Sequence, residues 1–247
     1  MELLKAEGVS KNFDSLYAVQ NVSLSVSGGE RRAIIGPNGA GKTTLFNLLA
    51  GELEPCSGRI YLFGQDVTTT PVHQRVHLGL ARTFQIMNLI PNLSVLDNVK
   101  LAIQAIKPFR FGMFRSQNAY TSLLDEAQSL LDRWGLWGKR QDLMQELSYG
   151  QQRRVELIMA LASKPKILLL DEPTSGLSEA AAASFLDMIR ELGRDITVVI
   201  VEHDMDVVFD LADYITVLHH GEVIAEGTGR EIKDNHMVKE IYLGEES

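Results

Sequence analysis

The chain has 247 residues, 45% of them hydrophobic, with one cysteine and a formal net charge of -8. That length supplies a sizeable core in one large domain or two small ones, and the acidity argues against a protein that coats nucleic acid. Cys56 stands alone, which excludes an internal disulfide. The start Met1-Glu2-Leu3-Leu4-Lys5 lacks the pattern of a secretory signal. No apolar run reaches the roughly 20 residues of a membrane helix, so any membrane role is expected through a partner.

In chain order, Val22, Leu24 and Val26 alternate with Ser23, Ser25 and Ser27, the pattern of a half-buried antiparallel strand. Ala33-Ile34-Ile35 is a short apolar strand. A glycine-rich loop follows it, then a helical run from Thr43 to Ala50 stopped by Gly51. Arg59 to Phe63 reads as a strand ended by Gly64. His73 and His77 lie four apart on one helical face, but no third ligand accompanies them and a zinc site is not expected.

Between about Val95 and Leu147 helical signals replace strand signals, over Val95–Ile106 and Tyr120–Trp134. This predicts a helical subdomain, about residues 88–163, inserted into a sheet-bearing core. The loop 107–115 carries three phenylalanines and three basic residues, and reads as a surface loop folded on its own aromatics or as a partner contact. In "LSYGQQRR" (147–154), Ser148 and Gln151 have the spacing of a capping box. Val155, Ile158, Met159 and Ala162 share the face of the helix that starts there.

Ile167–Leu170 and Ile196–Val201 are fully apolar, as central parallel strands are, and Ala180–Leu192 between them is helical. Tyr214–Leu218 and Glu222–Ala225 flank His219-His220-Gly221, a hairpin signal whose histidines read as surface. Arg230–Tyr242 reads as a helical tail.

Two stretches carry chemistry. Gly36-Pro37-Asn38-Gly39-Ala40-Gly41-Lys42-Thr43 matches the phosphate-loop pattern, with a strand before it and a helix after it. Its backbone N–H groups converge on phosphate oxygens, the helix start adds a positive end, and Lys42 reaches the β- and γ-phosphates. The Thr43 hydroxyl is a candidate ligand for Mg²⁺, and Thr44 extends the contact. In "ILLLDE" an apolar strand delivers Asp171 to its C-terminal end, where it is placed to hold Mg²⁺. Glu172 then sits beside the phosphates as a general base for an attacking water. The N/T-K-x-D base-reading motif of GTPases is missing.

The order of motifs resembles the ATP-binding cassette ATPases: the phosphate loop, "ARTFQ", "LSYGQQRR", "ILLLDEP", "SGLS" and "VEHD". The resemblance runs from Leu3 to about Gly229 and implies an α/β fold. That fold is a P-loop NTPase core with a mixed or parallel sheet, an N-terminal antiparallel β subdomain and the inserted helical subdomain. It implies ATP and Mg²⁺ as cofactors and a second cassette, identical or related, packed head to tail. Ser148, Gly150 and Gln151 of one subunit would then close over ATP on the other's loop. It further implies that Gln85 contacts Mg²⁺ and water, that His203 senses the γ-phosphate, and that Phe13, with Tyr17 as competitor, stacks on adenine. Ser178 departs from the family's usual aspartate or asparagine, and there its hydroxyl is expected to cap the next helix.

"GLARTFQIMNLIPNLSVLDNV", the aromatic loop and the ending "IYLGE" resemble the ATP-binding subunits of branched-chain amino-acid importers; urea and amide importers share much of this. Two transmembrane permease subunits and an external solute-binding protein are the implied partners, with the chain on the cytoplasmic face of the membrane. The alternatives are a lipid or lipopolysaccharide exporter cassette and a soluble cassette of nucleic-acid repair, chromosome maintenance or translation. The latter usually carry coiled-coil arms, zinc modules or tandem cassettes, none of which this sequence contains. No nucleic-acid partner is expected.

Overall fold

The alternation at Val22–Val26 belongs to a long hairpin. In the computed structural model, which describes residues 1–83, 89–106 and 117–244, β1 (Glu2–Phe13) and β2 (Leu16–Ser27) pair antiparallel from Glu2↔Ser27 to Phe13↔Leu16. β1 is not evident in the sequence reading because its two faces are weakly contrasted: Leu4 and Ala6 are buried between Lys5 and Glu7. β3 (Arg31–Ile35) leads through the glycine loop into α1 (Lys42–Ala50). β4 (Ser57–Leu62), β5 (Gln65–Asp66), α2 (Val72–Leu78) and β6 (Leu80–Arg82) follow.

Next come α3 (Val95–Ala105), α4 (Gln117–Arg133) and α5 (Tyr149–Ala162). The chain returns to strand in β7 (Ile167–Asp171), then forms α6 (Glu179–Arg190), β8 (Thr197–Val201) and α7 (Met205–Leu211). β9 (Tyr214–His219), β10 (Glu222–Gly227), α8 (Gly229–Asp234) and α9 (His236–Gly244) complete it.

These elements divide into two units. One comprises Met1–Arg82, Lys166–Pro173 and Leu192–Ser247; the other comprises Thr83–Pro165 and Thr174–Glu191. The first unit holds two sheets. The antiparallel one has the order β2-β1-β4-β5, and the six-stranded one has the order β10-β9-β3-β8-β7-β6. Strands β9, β3, β8, β7 and β6 are parallel neighbours, with β10 antiparallel at the edge. Every residue of β7 and β8 is buried, as expected where helices and a second sheet cover both faces. Leu45, Phe46, Leu48 and Leu49 of α1 share one core with Leu4, Leu24 and Ile60 of the antiparallel sheet and with Leu169 and Val199 of the parallel one.

Arg75 of α2 anchors the far end of α1. Its guanidinium is fully buried and donates to the α1 carbonyls of Leu48 (3.0 Å) and Leu49 (2.8 Å), and to those of Val67 and Thr70. Leu48 O also accepts from the Gly51 N–H that caps the helix (3.2 Å), and the arginine adds donors to the last carbonyls of α1, the groups that every helix end leaves short of partners. Burial pushes its guanidinium down to about 10, still charged at neutral pH.

The second unit is helical. Val99 and Ile103 of α3, Leu123, Ala127 and Leu131 of α4, and Leu157 and Ile158 of α5 are buried together. α6 joins this unit through α5. The aromatic loop 107–115 lies outside the described residues.

The expected tail helix is a point of difference. Residues Arg230–Tyr242 do not form one helix but contribute to α8 and α9, which break at Asn235. There the backbone turns extended (φ -71°, ψ 119°), and the side-chain oxygen accepts from the Val238 N–H at 3.2 Å. Asparagine thus starts a new helix instead of continuing the old one. α7, β6 and β1 are elements the sequence reading does not contain.

Candidate nucleotide-binding site

The glycine loop leaves the C-terminal end of β3, where ligands of parallel sheets collect. Its backbone depends on missing side chains. Gly36 (φ +154°) and Gly41 (φ +98°) each bring the chain so close to a neighbouring strand that a Cβ would lie 2.2 Å from the carbonyl oxygens of Leu218 and Ala18, respectively. A Cβ at Gly39 would meet nothing within 4 Å, so the loop's other face opens onto free space. Gly41 starts α1 without a side-chain cap, which leaves the helix's first N–H groups for an outside acceptor. Lys42 is 8% exposed, and its ammonium donates to the carbonyls of Gly36 (2.6 Å) and Pro37 (2.9 Å). A cation poised over uncapped N–H groups in an open cradle fits a polyphosphate.

The cradle forms one wall of a cleft of about 490 Å³. Asn38 through Thr44 face it, while Gly36 and Pro37 do not line it. Phe13, Leu16 and Tyr17 project from the β1–β2 turn into the opposite wall, at 47%, 69% and 57% exposed. Apolar side chains clustered in the open beside a polar cradle mark a binding surface. Phe13 and Tyr17 therefore both remain candidates for the base.

Glu172 also lines the cleft. It follows β7 in the left-handed region (φ +42°), held there by its N–H donating to Val201 O at 2.9 Å. Such backbone is costly for a residue with a side chain and persists where neighbours impose it. Asp171, one residue earlier, is 1% exposed. Its carboxylate takes a 2.8 Å ion pair from Arg82 of β6, which also reaches Asn47 Oδ1 (2.7 Å) and Glu52 Oε1 (3.0 Å) and stacks over Phe46. In "ARTFQ" the family resemblance rests on the glutamine, and nothing local in the sequence singles out this arginine.

The remaining predicted residues lie elsewhere. His203 follows β8 and is neither buried nor a cap: its side chain is 61% exposed and the cap of α7 is Asp204. Its N–H donates to the buried Glu202 carboxylate at 3.2 Å, and among the described residues it is not part of the cleft wall. Gln85 lies outside the described residues.

Ser148, Gly150 and Gln151 belong to the helical unit. Ser148 caps α5: its hydroxyl accepts from the Gln151 N–H (3.4 Å) and its own N–H donates to the Gln151 side chain (3.1 Å). A Cβ at Gly150 would sit 2.8 Å from the Ala181 Cβ, so the close approach this glycine permits within its unit is to α6. Ser178 caps α6, accepting from Ala181 N–H at 3.4 Å. His73 and His77 lie in α2, and among the described residues no group of histidine, cysteine and carboxylate side chains is arranged to hold a metal. No described helix is long and apolar enough to cross a membrane.

A parallel sheet, a glycine cradle at the end of one strand and an acidic pair at the end of another define a P-loop NTPase fold. The ABC transporter family matches residues 19–175. The chain is 37% identical over 250 residues to the high-affinity branched-chain amino acid transport ATP-binding protein LivG of Escherichia coli (strain K12), covering 98% of each. It is 34% identical over 246 residues to the lipopolysaccharide export system ATP-binding protein LptB of Acidithiobacillus ferridurans, covering 99% of this chain and 98% of that protein. Among solved structures, the dimeric post-hydrolysis state of the ATP-binding cassette MJ0796 bound to ADP and Pi superposes with a TM-score of 0.77 and 29% identity. That match covers 92% of this chain and 99% of the other. The chain belongs to the ABC transporter family.

Proposed function

We propose that the chain is the ATP-hydrolysing subunit of a membrane transporter, and that two cassettes pair head to tail around two ATP molecules. The observation that carries this reading is Glu172, which lines the same cleft as Lys42 and Thr43 and follows directly on Asp171. The loop N–H groups and the start of α1 bind the phosphates, Lys42 exchanges its two carbonyl partners for phosphate oxygens, and Phe13 or Tyr17 receives the adenine. Thr43 of the cleft wall, with Asp171 and Gln85, would supply the hard oxygen donors that suit Mg²⁺, and the ion would offset the charge on the transferred phosphoryl group.

Glu172 orients a water and accepts its proton as the water oxygen bonds to the γ-phosphorus and the bond to the ADP oxygen breaks. His203 reports on the γ-phosphate. Ser148, Gly150 and Gln151 present the start of α5 to the ATP held by the partner cassette, where the helix end favours an anion. Hydrolysis removes the shared anion and loosens the pair. Gln85 and the helical unit pass that cycle to two permease subunits, with the chain peripheral to the cytoplasmic face of the membrane.

LivG's 37% identity over nearly the full length supports import of branched-chain amino acids, delivered by an external binding protein. LptB, only slightly less similar at 34%, supports export of a lipid-linked molecule as the second reading. Uptake of labelled leucine into cells that express the chain with its neighbouring permease genes tests the first. Accumulation that depends on the chain supports import of branched-chain amino acids; none, with intact ATPase activity, removes that substrate and leaves export or import of another solute. Glu172→Gln tests the chemistry: it should bind ATP, lose on the order of 10²-fold or more in turnover and accumulate as an ATP-bound dimer on size exclusion. Turnover at the wild-type rate removes Glu172 as the base.

A further inference from the structure

His220 lies in the wall of the nucleotide cleft, although its sequence reads only as a hairpin tip. The β9–β10 turn has two residues, His220 (φ +46°) and Gly221 (φ +81°). Both are left-handed, as in a type I′ turn, where Asn-Gly or Gly-Gly is the relaxed choice. Two hydrogen bonds pin the turn. The Gly221 N–H donates to Ala40 O of the phosphate loop (3.0 Å), and the Gly221 carbonyl accepts from the Gln20 N–H of β2 (2.8 Å). The imidazole itself is exposed and leans tilted on His219, ring centroids 4.0 Å apart. A fixed backbone therefore presents a solvent-facing ring to the cleft.

Sheet order places that ring along a bound nucleotide. The phosphate loop leaves β3, which lies between β9 and β8. Glu172, the base for attack on the γ-phosphate, comes from the β7 side of β3. His220 comes from the β9 side, beside Ala18, whose carbonyl oxygen lies 3.0 Å from where a Gly221 Cβ would be. The exposed Phe13 and Tyr17 project from the same β1–β2 region.

We propose that His220 is a nucleotide-binding residue that contacts the nucleoside and α-phosphate half of the ligand. It tightens binding and takes no part in the hydrolytic step. This rests on reading the cleft as an ATP site.

The test titrates the full-length chain with fluorescent N-methylanthraniloyl ATP and ADP and measures ATP turnover, for the wild type, His220→Ala, His220→Gly and Lys42→Ala. Loss of a single contact is expected to raise both dissociation constants by the same factor, about 5- to 10-fold, in both His220 variants. KM should rise in parallel while kcat stays unchanged, and because glycine relieves the positive φ of this position, the melting temperature of His220→Gly without nucleotide should not fall. Gly relaxes the turn and removes only the ring, so wild-type affinity in His220→Gly overturns the proposal. Weakening of ATP without ADP overturns it too, because the contact would then be to the γ-phosphate. Wild-type affinity in Lys42→Ala instead brings down the reading of the cleft itself.

Discussion

At the scale of single residues, the site is governed by how buried charges are partnered. Asp171 is 1% exposed and faces the Arg82 guanidinium, whose side chain is 7% exposed and also serves Glu52. Removing one member of a buried pair leaves an uncompensated charge and costs far more than the pair itself contributes. Arg82→Met should therefore destabilise the chain by about 3–5 kcal/mol, read as a lowered urea midpoint with an unchanged slope, and Arg82→Lys should fall between. A midpoint within error of wild type would mean the ion pair is not what keeps Asp171 in place. Asp171, Glu172 and the phosphate loop were legible because their chemistry is local in sequence. Arg82 was not, because its partner lies 89 residues away and only the pairing of β6 with β7 brings them together.

At the scale of elements, helix starts were the clearest signals. Ser148 with Gln151 forms the reciprocal capping box that the spacing indicates, because both partners lie within one turn. The apolar face of α5 was read too narrowly. Val155, Ile158 and Ala162 are buried but Met159 is only half-buried, and Arg153, Glu156, Leu157 and Leu161 are buried too, since α3, α4 and α6 surround the helix; an Arg153–Glu156 ion pair at 3.1 Å makes the burial of charge tolerable. Gly150 is where α5 and α6 approach closely. Gly150→Ala places a methyl group 2.8 Å from the Ala181 Cβ, so about 1–3 kcal/mol of overpacking is expected, measured by urea unfolding. Adding Ala181→Gly should recover part of that loss in a double-mutant cycle. Strict additivity would show that the α5–α6 contact is not the source.

At the scale of the whole molecule, ligand binding and folding are linked. A ligand that binds only the folded chain stabilises it by mass action. ATP at a hundred times its dissociation constant, with Mg²⁺ present, should add about 2.7 kcal/mol, seen as a higher melting temperature by thermal shift. Lys42→Ala should abolish the increase, and chelating the Mg²⁺ should reduce it. An unchanged melting temperature at saturating ATP would contradict the assignment of the cleft.

The sequence by itself determined what depends on near neighbours: the glycine cradle and its lysine, the acidic pair at the end of an apolar strand, the capped start of α5, and the central strands marked by unbroken apolar runs. Those features need only a few consecutive residues to be physically meaningful. Tertiary structure alone decided which distant groups meet. Strand order set the histidine turn against the phosphate loop, close packing gave Gly150 its neighbour in α6, and the pairing of β6 with β7 gave Asp171 its arginine. A contact between residues far apart in the chain leaves no local periodicity or spacing to read; it exists only once the sheet has closed around it.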